Sequence, residues 1–96
     1  MIDRNKINQI AKEVAAAHLS SENIVDAISE PTTDSEGRDA LRITIVIKPG
    51  VVQRFAGDAV LDTLVQIQDR LREAGEERFP IIEYATEDEL QESGDP

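Results

Sequence analysis

Apolar and polar positions alternate almost without a break from Leu41 to Lys48. Leu41, Ile43, Ile45 and Ile47 point one way, and Arg42, Thr44, Val46 and Lys48 the other. This pattern predicts a strand with one face on a core and the other open to solvent, ended by Pro49-Gly50. The period then changes. Val60, Leu61, Leu64, Ile67, Gln68 and Leu71 recur at three- and four-residue steps, which predicts an amphipathic helix over about Asp58 to Ala74. Asp58 and Asp62 suit its positive end, Arg70 and Arg72 its negative end, and Gly75 the left-handed residue after its last turn.

The same helical spacing appears earlier. Ile7, Ile10, Ala11, Val14, Ala17 and His18 share a face, so a first helix runs from about Arg4 to Leu19, capped by Asp3 and ended by Ser20-Ser21. Ile24, Val25 and Ile28 mark a weaker strand over Asn23 to Ser29, stopped by Pro31. The run from Thr32 to Gly37 reads as a mobile polar turn. Between Val51 and Ala56 the pattern predicts a loop or turn that plugs the core edge with Val52 or Phe55. Phe79 to Ala85 forms a third strand, with Pro80 at its start or on an edge. Thr86-Glu87-Asp88-Glu89 has the form of a capping box and starts a short helix to about Glu92, after which Ser93 to Pro96 should fray.

The order α-β-β-α-β predicts a two-layer α+β sandwich. A small three-stranded mixed sheet carries both long helices on one face, with a short acidic C-terminal helix or tail. Residues 1–85 are expected to form one domain and residues 86–96 the acidic appendage. KH-like folds share this coarse order, but the chain lacks the Gly-x-x-Gly loop and basic groove expected of that family.

Composition narrows the picture. Aromatic residues are 3% of a chain that is 40% hydrophobic, so the core is aliphatic. No cysteine is present, which excludes disulfides and thiolate metal sites and fits a cytoplasmic protein. The longest apolar run, about Ile43 to Ile47, is too short for a membrane span, and the first residues do not resemble a secretory signal. The chain is therefore expected to be soluble, with no membrane contact.

The net charge of −10 is unevenly spread. Arg38, Arg42, Lys48 and Arg54 oppose only Asp39 between Gly37 and Gly57, whereas nine acids oppose only Arg78 from Glu73 onward. Such an excess of acid disfavours a general nucleic-acid binder.

No catalytic set emerges. His18 is the sole histidine, and it falls on an apolar stripe, where it packs against the sheet or meets the last carbonyls of its helix. The Asp34-Ser35-Glu36-Gly37-Arg38-Asp39 segment lacks EF-hand spacing and reads as a turn. Gly50 and Gly57 precede a helix, yet no phosphate-loop motif is present, and Asp58 would repel a phosphate there. Neither a cofactor nor a metal is expected.

The most informative surface is the outward row Arg42, Thr44, Val46 and Lys48, with Arg54 nearby and Tyr84 completing an apolar centre beside Val46. Either a partner docks on this face or the acidic tail folds back over Arg42 and Lys48. The expected function is a non-catalytic protein-binding module, one version being an antitoxin-like neutraliser or inhibitor of a basic protein. Its partner is a basic protein or a second copy of the chain. The alternatives are a KH-like RNA-binding module using the basic middle segment, or a small enzyme using carboxylates and His18.

Overall fold

The computed structural model describes residues 2–93, without the side chains of the last two. The expected fraying of the extreme C-terminus lies outside the described residues from Gly94 on. Three helices and three strands follow the predicted order: α1 (Arg4–Leu19), β1 (Ile24–Thr33), β2 (Asp39–Ile47), α2 (Gly57–Glu73), β3 (Phe79–Ala85) and α3 (Glu87–Ser93). The sheet order is β1-β2-β3, with β1 antiparallel and β3 parallel to the central β2. Helix α2 makes the crossover between β2 and β3.

Each element forms for a local reason. Asp3 caps α1 by accepting the Lys6 N–H at 2.9 Å. Ser20 ends it at φ 77°, a left-handed conformation unusual for a residue with a Cβ. Asn23 then ties this corner down, its side-chain amide donating to the Leu19 carbonyl and its own carbonyl accepting from the Lys48 N–H. Helix α2 closes at Gly75, φ 98°, where the Gly75 and Glu76 N–H groups return to the Arg72 and Leu71 carbonyls. The capping box of α3 is formed in both directions, Glu89 accepting from the Thr86 N–H and Thr86 Oγ from the Glu89 N–H.

The core lies between the helices and the inner face of the sheet. Ile43 and Ile45 are fully buried at its centre, against Ile7, Ile10 and Val14 of α1 and Ile67 and Leu71 of α2. Burying each isoleucine contributes about 1.5–3 kcal/mol, so this aliphatic cluster carries most of the fold's driving force. Helix α1 packs on β1 and α2, and α2 also reaches β3.

The structure adds detail to the sequence reading at three places, and overturns it at the first. Strand β1 runs through Pro31, which pairs with Leu41, instead of stopping there; on an edge strand the missing N–H can face outward without breaking the ladder. The hairpin turn is tightly bonded: the Asp34 side chain accepts the Glu36 and Arg38 N–H groups, and Gly37 adopts φ 81°. These bonds, with the Arg38 guanidinium, hold the Asp34 carboxyl below its usual range. Third, the residue closing the core edge before α2 is Val51, which is buried, while Val52 is half exposed on a single 3-10 turn. Phe55 packs beside the core as expected and meets the Tyr84 ring at 6.0 Å.

Among the described residues Glu76 is the one buried acid of the C-terminal third, at 1% exposure. It accepts the Ile2 N–H at 3.2 Å and the Arg78 N–H at 3.0 Å, and it holds the Arg78 guanidinium through two further bonds of 2.9 and 3.0 Å. These interactions outweigh the desolvation of the carboxylate and lower its pKa from 4.5 to about 2. The cluster joins the chain's beginning to the entrance of β3.

The outer sheet face as a candidate binding site

Strand register fixes what the outer face displays. Asp26, Ile28 and Glu30 of β1 lie opposite Val46, Thr44 and Arg42 of β2, and Ile81, Glu83 and Ala85 of β3 flank the same three from the other side. Each β2 residue is therefore enclosed by two neighbours. This is why Thr44 and Val46 are buried at 6% and 4%, although sequence alternation left them on a face open to water.

The row is not basic. Arg42 donates to Glu30 at 3.1 Å and stands 3.9 Å from Glu83, so its guanidinium bridges all three strands between two carboxylates. Thr44 Oγ donates to Glu83 at 3.1 Å. With Asp26, opposite Val46, the face carries three acids, while Lys48 stands exposed beyond the end of β2. The other cations of the middle segment are scattered. Arg38 pairs with Asp34 and Glu36 in the hairpin turn, and Arg54 sits on the 3-10 turn before α2, off the sheet. They do not line up as a groove for a phosphate backbone.

Tyr84 belongs to the other layer. Its position opposite Ile45 turns it toward the helices, where it lines an apolar groove with Val60, Leu61, Leu64 and Ile82. Its hydroxyl is buried without a partner among the described residues, and desolvation raises its pKa. The apolar part of the outer face instead consists of Ile28 at 42%, Ile81 at 37% and Phe79 at 50% exposure. These residues escaped the sequence reading because only β2 was assigned two faces. The alternation Phe79, Ile81, Glu83, Ala85 was available, but its side of the sheet depends on a parallel register across the α2 crossover.

Leu90 of α3 shares a depression of about 500 Å³ with Ile28, Arg42, Thr44 and Glu83. Glu87 and Asp88 border a second one with Lys48. Leu90, Glu87 and Asp88 thus border depressions on the outer face, but no α3 carboxylate among the described side chains forms an ion pair with Arg42 or Lys48.

The chain matches no protein-family model and no curated protein.

The remaining candidates sit elsewhere. His18 Nε2 bonds Gln66 at 2.6 Å, joining α1 to α2 in the helix layer. Arg70 bonds Glu13 at 3.0 Å across the same seam, which lowers the Glu13 pKa. Among the described residues no three His, Cys, Asp or Glu side chains stand close enough to hold a metal ion, and no helix is long and apolar enough to cross a membrane.

Proposed function

We propose that this chain is a non-catalytic protein-binding module that engages a basic partner through the outer face of its sheet. The observation carrying this reading is the company kept by the exposed apolar side chains. Ile28, Ile81 and Phe79 are 37–50% exposed and interleaved with Asp26, Glu30 and Glu83. An apolar centre with an acidic surround suits a partner bearing apolar anchors ringed by Lys or Arg. The net charge of −10 speeds encounter with such a partner.

In this reading residues 1–85 form the binding domain and residues 86–96 a shield, with Leu90 resting in the depression until a partner displaces it. The setting is cytoplasmic, in keeping with a chain free of cysteine. Neutralisation of a basic nucleic-acid-acting protein is the concrete form of the proposal.

Affinity capture at low and at physiological salt tests it. A basic protein should be retained by the native chain, released as salt rises, and lost with the double substitution Ile28→Arg/Ile81→Arg. Empty capture at both salts, or retention indifferent to the double substitution, overturns the proposal.

A further inference from the structure

A second surface is independent of the outer face. Helix α2 meets α1 through Gln66 and Arg70 and buries Thr63, Ile67 and Leu71, yet Leu61 and Val65 remain 59% and 47% exposed. At 3.6 residues per turn, Asp58, Leu61, Val65 and Arg72 fall within an arc of about 60°. That arc lies on the side of the helix turned away from α1. Asp62 and Asp69 fall outside it, toward solvent.

The stripe is self-complementary. Val65 is the midpoint of Gly57–Glu73, and Asp58 and Arg72 stand seven residues before and after it. Among the described residues neither forms an ion pair, and the Asp58 side chain bonds the adjacent Ala59 N–H. The helix dipole accounts for an acid near the start and a base near the end, but not for both sharing a flank with the exposed Leu61 and Val65.

We propose that α2 is the seam of a two-fold homodimer, packed antiparallel against α2 of a second copy with Val65 at the axis. Seven residues span about 10 Å of helix, so Asp58 of each copy comes level with Arg72 of the other. Two equivalent ion pairs then bracket an apolar centre of Leu61 and Val65 from both chains, as an isologous interface requires. The axial packing distance of 8–10 Å typical of helices suits side chains of this size. The charge of −10 per copy opposes association, but at physiological salt the screening length is about 8 Å, so the distributed repulsion fades while the contacting pairs persist.

Sedimentation equilibrium of the full chain from micromolar to millimolar concentration tests this. The expected mass rises toward twice the 10.6 kDa of one chain. Val65→Asp should abolish the rise while leaving the circular dichroism unchanged, since the side chain is half exposed. Asp58→Arg and Arg72→Asp should each weaken dimerisation roughly tenfold by opposing like charges, and the double exchange should restore it. A native chain that stays at 10.6 kDa throughout overturns the proposal. So does a dimer indifferent to Val65→Asp, a double exchange weaker than either single change, or a dimer lost only with Ile81→Asp, which would place the contact at the β3 edge.

Discussion

Replacing Glu76 by Gln should be the most damaging single-atom exchange in this protein. The carboxylate is 1% exposed, receives four hydrogen bonds and is the charge partner of Arg78, itself only 14% exposed in its side chain. Glutamine keeps the shape but leaves the guanidinium without its counter-charge, turning one acceptor oxygen into a donor that faces other donors. Breaking a buried pair from one side costs about 3–5 kcal/mol. The pKa gives a separate measure: a fall from 4.5 to about 2 corresponds to about 3 kcal/mol.

Because the folded pKa lies below the unfolded one, this stabilisation is complete at neutral pH. It declines as pH drops below about 5 and is gone only well below pH 2, where both states are protonated; at pH 2 itself the folded carboxyl is half ionised. Urea melts of the native chain and Glu76→Gln at steps from pH 7 to pH 2.5 check this. The stability gap between the two should start at about 3 kcal/mol and narrow to under about 1 kcal/mol by pH 2.5. A gap under about 0.5 kcal/mol at pH 7, or one that does not change with pH, would refute the assignment of Glu76 as a buried clamp.

Three further outcomes follow from single positions. Ile43→Ala, at 0% exposure in the central strand, should cost about 2–5 kcal/mol in denaturant melts, with most of the spread set by how far the core relaxes. Tyr84→Phe removes a buried hydroxyl that has no partner among the described residues and should leave stability unchanged or raise it by up to about 1 kcal/mol; a loss of more than that would reveal a bond made by the hydroxyl. Ser20→Gly relieves the φ of 77° and should raise stability by about 0.5–1 kcal/mol, seen as a higher melting temperature, whereas Ser20→Val should lower it.

Where structure depends on neighbours in sequence, the chain could be read directly. The Asp3 cap, the Gly75 turn, the Thr86–Glu89 box and the inward row Leu41, Ile43, Ile45, Ile47 all follow from spacing within a few residues. Pairing was not legible in that way. Pro31 reads as a stop until β1 is known to be an edge strand. Arg42 reads as a free cation until Glu30 and Glu83 arrive from separate strands, twelve residues before it and across the α2 crossover. Glu76 reads as one more acid in an acidic run, because its partner Ile2 is 74 residues away. Tyr84 was joined to the wrong face because its direction depends on the register of a strand bound only through a long connection.

That parallel register also orders events during synthesis. The β1–β2 hairpin can close once Ile47 has left the ribosome, but the other side of β2 has no partner until Phe79 to Ala85 have followed. For that interval the nascent chain presents a bare isoleucine-rich edge, Ala40 to Val46, able to recruit a strand from any neighbouring chain. In a chain cut after Glu77 the same edge never closes, and its outward amides should exchange with solvent while those facing β1 stay protected. The interval between the emergence of β2 and that of β3 is thus when this fold is most exposed to aggregation.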